Sequence, residues 1–233
     1  LFGIPSEKDA VGSDACDENG IVAEAVRAIK AGNSDLLVIT DVCFCEFTDH
    51  GHCGIVNDRH GALDVDNDAP LEILATQAVT HARAGADMVA PSDMMDGRIG
   101  AIRTAFEGRR LIHSRILAYS AKYASNYYGP FRDAVGSKGS LKGDKKNYQM
   151  DYRNRLEALR EVSLDIKEGA DIVMVKPGMP YLDIISLVKN NFKIPVFAYQ
   201  VSGEYSLINN GIKKGIIDNQ AIFESLISFK RAG

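Results

Sequence analysis

A six-residue pattern that occurs twice constrains the fold of this chain more than any other feature of its sequence. Residues 84–89 read AGADMV and residues 168–173 read EGADIV. In each copy a helical pattern ends at a glycine, and an aspartate then leads into an apolar run, which is a join between a helix and the next strand in parallel β/α proteins. The repeated join predicts an α/β fold whose parallel strands are connected by right-handed crossovers, as in a β/α barrel.

Alternating helical and extended patterns continue this arrangement along the chain. Apolar residues at helical spacing predict helices over residues 19–31, 70–84, 97–107, 151–168 and 180–191, followed by two short helices. Short apolar runs predict strands over residues 36–40, 87–91, 116–120, 172–175 and 195–199. The helix over residues 151–168 is predicted to bury a stripe made of Tyr152, Leu156, Leu159, Val162 and Ile166.

We therefore predict that residues 1–233 form a single TIM (β/α)8-barrel catalytic domain. Residues 1–4 resemble the end of a strand, and residues 231–233 resemble a helix end without the strand that should follow, so we expect the barrel to be truncated at both ends. An open doubly wound sheet is the alternative, although no glycine-rich phosphate-binding fingerprint follows any predicted strand.

Composition limits the classes of partner. The formal net charge of -4, from 27 basic and 31 acidic residues, offers no general attraction to nucleic acid. No apolar run approaches the roughly 18 residues that a membrane span requires. Three of the four cysteines are clustered, which fits a reducing compartment better than a disulfide framework. We expect a cytoplasmic protein that acts on a small molecule and has neither nucleic acid nor membrane partners.

The clustered cysteines are Cys43, Cys45 and Cys53, in the segment DVCFCEFTDHGHCG that follows the first complete predicted strand. Zn2+ prefers thiolate ligands in tetrahedral geometry, and three protein ligands leave one position open for water or substrate. His50 or His52 could instead supply a fourth ligand and close the site. Three reduced thiols or a disulfide are the metal-free alternatives, but Cys43 and Cys45 are one residue apart, which favours convergence on a metal over a bridge. Cys16 is predicted to be a bystander.

Active sites of β/α barrels lie on the loops after the strands. Residues at those positions are Asp41, the three cysteines, Ser92, Asp93, Lys122, Lys176 and residues 199–204. Burial and a second ammonium nearby should lower the pKa of Lys122 and of Lys176. A neutral lysine amine can attack a ketone to form a Schiff base. The alternative for each lysine is a solvated residue at the start of a helix.

Residues 127–149 interrupt the β/α alternation with a long segment rich in glycine and lysine. Loops of this length in compact domains often act as lids. Its basic residues are Arg132, Lys138, Lys142, Lys145 and Lys146. We predict a lid that brings cations onto substrate carboxylates, with a solvated flexible segment as the alternative. For Ser202, the alternative to a binding role is a helix N-cap with Glu204 in the first turn.

These segments together resemble the porphobilinogen synthase family, also called 5-aminolevulinate dehydratase. The matching motifs run in the family's order through nearly the whole chain: DVCFCEFTDHGHCG, APSDMMDGR, YSAKYAS, YYGPFRDA, LKGDKKNYQM, MVKPGMPYLD and YQVSGEYS. The resemblance implies a TIM-barrel lyase that condenses two molecules of 5-aminolevulinate to porphobilinogen with loss of two waters, in tetrapyrrole (heme) biosynthesis.

The resemblance also implies roles for individual residues. Lys122 and Lys176 would each form a Schiff base, and the three cysteines would bind the zinc ion that acts on the second substrate. The remaining implied substrate-binding residues are Arg132, Lys145 and Gln149 at the second substrate's carboxylate, Ser202 and Tyr199 at the first substrate, and Asp41, Ser92 and Phe131. Glu161 matches the position of an allosteric Mg2+ ligand. Members of the family assemble as homo-octamers through an N-terminal arm.

Three departures from the family pattern accompany this resemblance. Lys145 stands where many zinc-dependent members have arginine, so a bidentate carboxylate clamp becomes a point charge. The DKKNYQM stretch is more similar to the branch that has aspartates in place of the cysteines. We also expect the arm, a first strand and a last strand with a substrate-binding tyrosine to lie outside the given residues. A Schiff-base aldolase with one lysine and no metal is the rival enzyme, and a zinc-stabilised scaffold is the non-catalytic alternative.

Overall fold

The computed structural model describes residues 1–58, 64–134, 141 and 143–233. Its strands are β1 (Ile39–Val42), β2 (Val56–Asn57), β3 (Asp64–Val65), β4 (Met88–Pro91), β5 (Arg115–Lys122), β6 (Ile172–Lys176) and β7 (Val196–Ala198). Five of them form a parallel sheet in the order β1, β4, β5, β6, β7, while β2 and β3 form an antiparallel pair. The order of the parallel strands follows the chain without reversal, which is the arrangement of a barrel, whereas a doubly wound sheet reverses its order.

The α-helices that accompany these strands are α1 (Ile21–Gly32), α2 (Leu71–Ala84), α3 (Arg98–Gly108), α4 (Gly129–Ala134), α5 (Leu156–Glu168), α6 (Leu182–Asn191), α7 (Ser202–Lys213) and α8 (Gln220–Ala232). Two buried clusters lie between helices and sheet, one under α1 to α3 and one under α5 and α6. A smaller cluster of Ala90, Leu117, Tyr119 and Met174 comes from alternate strand positions and so occupies the other face of the sheet. None of the helices in the described ranges is long and apolar enough to span a bilayer.

The repeated join takes the same form in both copies. Gly85 and Gly169 each end a helix in the left-handed region, with φ of 109° and 108°. The Asp87 carboxylate accepts a 2.7 Å hydrogen bond from the backbone N–H of Val38, and the Asp171 carboxylate accepts one of 2.8 Å from Ile116. Each aspartate therefore ties the start of its own strand to the neighbouring parallel strand, which confirms the predicted join.

The first predicted strand was placed too early. Leu36 and Leu37 are 51% and 59% exposed, and β1 begins only after Val38, whose N–H is held by Asp87. The strand consequently extends further than predicted and includes Asp41. Residues 1–4 do not form a strand either, although the backbone of Leu1 bonds to β1 at two points.

The helix predicted over residues 151–168 begins late, at Leu156. The Asn154 side chain accepts hydrogen bonds from the backbone N–H groups of Leu156 and Glu157, which caps the helix there. Tyr152 therefore lies outside the helix and Leu156 on its first turn, and both are exposed, at 63% and 68%. Their assignment to the buried stripe was wrong, whereas Val162 is fully buried.

Truncating a leucine should distinguish the core from this exposed position. Leu74→Ala, on α2, removes a side chain that is 0% exposed, and we expect the free energy of unfolding to fall by about 2–5 kcal/mol. Leu156→Ala is the matched control and should change it by no more than about 0.5 kcal/mol. Urea unfolding of both variants measures the difference. Equal losses would contradict the observed exposure of Leu156.

Candidate active site

The two predicted lysines lie side by side at one edge of the sheet. Lys122 is the last residue of β5 and Lys176 the last residue of β6, and the two are paired in the register of these parallel strands. Both side chains are buried, and the Lys122 ammonium donates a hydrogen bond to the backbone carbonyl of Ser92 after β4. Three consecutive strands of the sheet thus contribute to one site.

Aromatic rings enclose the amino group of Lys176. Its Nζ lies 4.2 Å from the ring centroid of Tyr199, 5.1 Å from that of Tyr119, and 5.6 Å from those of Tyr128 and Phe131. Burial among these rings, together with the Lys122 ammonium, lowers the pKa of Lys176 to about 8. At pH 7 roughly one tenth of this amine is therefore in the neutral, nucleophilic form.

Lys122 behaves differently from the expectation that both lysines have a lowered pKa. Burial lowers its pKa, but Cys53, Cys43 and Cys45 raise it, and the net pKa lies above the ordinary value. The expectation failed because the sequence did not show that the cysteine loop folds against β5. The electrostatic environment thus makes Lys176 the more readily deprotonated of the two amines.

The three clustered cysteines present their sulfur atoms to one point. Their Sγ atoms all lie within 4.8 Å of one another, with Cys43 and Cys45 3.4 Å apart, and all are free thiols. Zn–S bonds of about 2.3 Å in a tetrahedron separate the sulfurs by roughly 3.8 Å. Hydrogen bonds from the other two thiols hold the pKa of Cys53 well below its usual value, which favours a thiolate there, whereas burial raises the pKa of Cys43 well above its usual value. The donor set therefore fits a zinc ion.

Neither nearby histidine joins this group in the described part of the chain. His50 Nε2 lies 3.2 Å from the carbonyl oxygen of Ala10, and its Nδ1 accepts from the His52 backbone. His52 Nδ1 lies 3.1 Å from the hydroxyl of Tyr148. A site closed by either histidine is accordingly not supported.

A second group of ligand atoms overlaps the first. A carboxylate oxygen of Asp41, one of Glu46 and the Cys43 sulfur all lie within 4.8 Å of one another. Glu46 is only 2% exposed. Sequence analysis did not single out Glu46, whose signal was its position directly after Cys45. Burial and the neighbouring Glu46 raise the pKa of Asp41 to about 7.

Residues from the predicted lid reach the lysines. A cavity of about 40 Å3 is lined by Cys45, Lys122, Tyr128, Phe131, Arg132, Lys145, Gln149 and Lys176. A second cavity of about 280 Å3 shares Arg132, Lys145 and Gln149 with it, so these three side chains lie at the boundary between the two cavities.

The lysines of this segment lie in different environments. Lys146 is exposed and forms a surface ion pair with Asp144 at 3.5 Å, as expected for a solvated residue. Lys138 and Lys142 lie outside the described residues. Lys145 is instead buried, and its ammonium donates to the Cys53 sulfur at 3.3 Å.

Three predicted substrate-binding residues hold buried polar atoms without a hydrogen-bond partner among the described residues: Asp41 Oδ1, Gln149 Oε1 and Ser202 Oγ. Leaving such an atom unpaired costs about 1–3 kcal/mol, which a polar ligand would recover. The alternative of Ser202 as an N-cap is wrong, because Val201 occupies that position and Ser202 is the first residue of α7. The Ser92 side chain hydrogen-bonds the Asp41 carboxyl group.

Glu161 lies in a different pocket from the lysines and cysteines. This cavity of about 400 Å3 also contains Asp64, Asp96, Asp151 and Glu157. Burial and the neighbouring carboxylates of Asp96 and Asp165 raise the pKa of Glu161. The pocket therefore has the oxygen-rich character that Mg2+ prefers.

Asp93, which also follows β4, has a structural role. Its side chain is fully buried, and its Oδ2 lies 3.5 Å from Arg98 Nε. Arg98 Nη2 in turn lies 3.6 Å from Asp165 Oδ2 on α5. Burial raises the pKa of Asp93 to about 6. The Arg98 guanidinium also donates to the Tyr119 carbonyl on β5, so this group ties the strand that carries Lys122 to two helices.

Known proteins are similar in sequence to this chain over its whole length. A family model described as delta-aminolevulinic acid dehydratase matches residues 1–233. The delta-aminolevulinic acid dehydratase of Archaeoglobus fulgidus is 55% identical over 233 residues, which are 100% of this chain and 71% of that protein. The enzyme of the same name from Halalkalibacterium halodurans is 52% identical over 234 aligned residues, covering 100% of this chain and 70% of the relative.

A solved structure extends the similarity to three dimensions. The delta-aminolevulinic acid dehydratase (porphobilinogen synthase) of Toxoplasma gondii, in complex with its reaction product porphobilinogen, matches with a TM-score of 0.94 at 44% identity. The match covers 97% of this chain and 64% of that one, and it confirms the predicted barrel class. The chain belongs to the delta-aminolevulinic acid dehydratase family.

Proposed function

We propose that the paired lysines and the cysteine cluster carry out the porphobilinogen synthase reaction of this family, in which two molecules of 5-aminolevulinate condense with loss of two waters. The observation that supports this proposal most strongly is the register pairing of Lys122 with Lys176 beside three convergent thiols. Two amines at one site suit a reaction that holds two molecules of the same ketone.

Lys176 acts as a nucleophile in this proposal. Its neutral amine attacks the ketone carbon of one substrate, and loss of water leaves a Schiff base. The ring of Tyr199 excludes water from this amine, and the unpaired hydroxyl of Ser202 is available to bind a polar substrate group. Asp41, whose pKa lies near neutrality, can accept or return a proton beside it.

Lys122 forms the second Schiff base in this proposal. Its raised pKa depends on the charge of the cysteine sulfurs, which a bound cation would offset. Cys43, Cys45 and Cys53 would hold Zn2+, which when bound would supply Lewis-acid polarisation of a substrate oxygen. The carbonyl of Ser92 orients the Lys122 amine toward the same cavity.

Residues 127–149 act as a lid in this proposal. Arg132 and Lys145 present positive charge, and Gln149 an unpaired amide oxygen, at the boundary between the two cavities. They would bind the carboxylate of the second substrate, and Phe131 would cover Lys176. The presence of residues from this segment in the lining of both cavities supports a lid that closes over the lysines.

The rival functions explain less of the site. An aldolase needs one lysine and leaves the paired lysine and the cysteine cluster without a role. A scaffold requires neither amine to be buried, although a buried lysine is costly to retain.

Further parts of the proposal concern metal, assembly and location. Glu161 would bind Mg2+ in the acidic pocket, which contains four further carboxylates. The protein would form homo-octamers, and exposed apolar side chains such as Phe223 and Leu226 on α8 suit an assembled surface. Four free thiols fit a cytoplasmic location.

The proposed function predicts both a product and a pH profile. Purified full-length protein supplied with zinc and 5-aminolevulinate should form porphobilinogen, measured colorimetrically. Because the neutral form of Lys176 is the nucleophile and its pKa is about 8, the initial rate should rise with pH and level off above about pH 8. A lysine of ordinary pKa would give a rate that still increases at pH 10.

Two failures of this experiment have different meanings. No product at any pH from folded, zinc-loaded protein would contradict the proposed function. Product whose rate continues to increase to pH 10 would contradict the assignment of Lys176 as the low-pKa nucleophile while leaving the function intact.

A further inference from the structure

Glu204 is a buried carboxylate that none of the steps above uses. It lies on the first turn of α7 and is 2% exposed. Its Oε1 accepts a hydrogen bond from the backbone N–H of Met179 at 2.5 Å, and its Oε2 accepts from Gly178 at 3.2 Å and from Val201 at 2.7 Å. No salt bridge to it occurs in the described ranges, so backbone N–H groups alone offset the buried charge.

Two of those donors follow Lys176 directly in the chain. Gly178 and Met179 are two and three residues beyond it, in the turn that leaves β6. On the other side, the Lys176 carbonyl accepts a 2.9 Å hydrogen bond from the Tyr123 backbone. The backbone of Lys176 is thus held at its carbonyl by Tyr123, the residue after β5, and by the Tyr128 hydroxyl, and just beyond it by Glu204.

The turn has little room to move. A Cβ placed on Gly178 would lie 2.5 Å from a ring carbon of Phe229 and 3.1 Å from the carbonyl oxygen of Tyr199. Tyr199 is also the residue whose ring lies closest to the Lys176 ammonium. Displacing this turn would therefore shift the amine and the nearest wall of its aromatic enclosure together.

Glu204 also connects this turn to the predicted lid. Its neighbour Gly203 packs so closely on the backbone of Tyr127, where that segment begins, that a Cβ would overlap the Tyr127 carbonyl. The next residue, Tyr128, donates from its hydroxyl to the Tyr123 carbonyl at 2.7 Å, and its ring faces Lys176. The start of α7 thus touches both the turn after Lys176 and the base of the lid.

We propose that Glu204 is a positioning residue that sets the location of the Lys176 amine within its aromatic enclosure. The inference rests on the proposed function, in which that amine attacks a substrate ketone. A carboxylate is required because two oxygens accept three backbone donors. Glutamine offers only one acceptor oxygen. Its NH2 group would face a backbone N–H, and two donors cannot form a hydrogen bond.

Borohydride trapping can test this role. Wild type, Glu204→Gln and Glu204→Asp, all full-length, are incubated with 5-aminolevulinate and cyanoborohydride, and peptide mass spectrometry gives the rate of adduct formation on Lys176 and on Lys122 separately. Loss of one hydrogen bond to a charged group should lower the rate on Lys176 relative to Lys122 about tenfold in Glu204→Gln. Glu204→Asp keeps the charge and should lie between that variant and wild type.

Asp171→Asn is the matched control. Asp171 precedes the other end of the same strand, where it accepts from a backbone N–H and pairs with Arg103 at 2.6 Å. This variant should lower the melting temperature and leave the ratio of the two adducts unchanged.

Three results would overturn the inference. A wild-type ratio in folded Glu204→Gln and Glu204→Asp would do so directly. An equal fall of that ratio in Asp171→Asn would show a general loss of stability instead of positioning. Absence of adducts on both lysines of the wild type would overturn the proposed function itself, and this inference with it.

Discussion

Lys176→Ala is expected to lower the rate of porphobilinogen formation by about 10^3-fold or more, which is the scale of loss on removing a catalytic nucleophile. The variant lacks the amine whose pKa is lowered to about 8 among Tyr199 and the other enclosing rings. Lys122 does not replace it, because the proposed reaction uses each of the two paired lysines to hold one substrate molecule. Turnover and covalent trapping are measured on the same preparations.

Lys193→Ala is the control for that experiment. Lys193 is an exposed lysine just before the amino end of β7, whereas the paired lysines lie at the carboxyl ends of their strands. It should turn over at the wild-type rate. If Lys176→Ala retains more than a tenth of wild-type activity while folded, Lys176 is not the essential nucleophile, and a single-lysine mechanism on Lys122 becomes the better account.

Replacing Cys43, Cys45 and Cys53 together with serine should abolish tight zinc binding and reduce activity by about 100-fold or more, since loss of even outer-shell partners costs 10–100-fold. The loss follows from the geometry: three sulfurs within 4.8 Å form one soft donor set, and serine hydroxyls are poor ligands for Zn2+. Bound zinc is measured by elemental analysis after dialysis, and activity with and without a chelator.

Cys16→Ser provides a matched control in the same chain. The Cys16 thiol lies apart from the cluster, 3.5 Å from the carbonyl oxygen of Ile73. It should keep wild-type zinc content, and its activity should disappear with chelator and return with added Zn2+. Full activity of the triple variant in the presence of chelator would contradict the assignment of the cysteines as a metal site.

Much of the fold was predictable because its determinants are local. The glycines at 85 and 169 end their helices in a conformation that disfavours other residues, and Asp87 and Asp171 follow two residues later. Where a competing local signal was overlooked, the prediction failed. The Asn154 side chain caps α5 at Leu156, so the helical pattern before that point does not become helix.

The residues of the candidate site were predictable for a related reason. Carboxyl ends of parallel strands meet at one edge of a sheet, so residues at those ends, such as Lys122 and Lys176, had to lie near one another once the strands were identified. Distance along the chain was no obstacle to this inference. It required only that the order of strands be parallel and sequential.

The sequence by itself determined the β/α order, the strand-end lysines and the cysteine donor set, because each depends on residues close together in the chain. Only the tertiary structure decided the protonation behaviour of the two lysines. Tyr119 and Tyr199 enclose Lys176, whereas the cysteine sulfurs face Lys122, so one amine has a lowered pKa and the other a raised one. Such differences arise from contacts between segments distant in sequence, since electrostatic effects depend on distance in space and on burial.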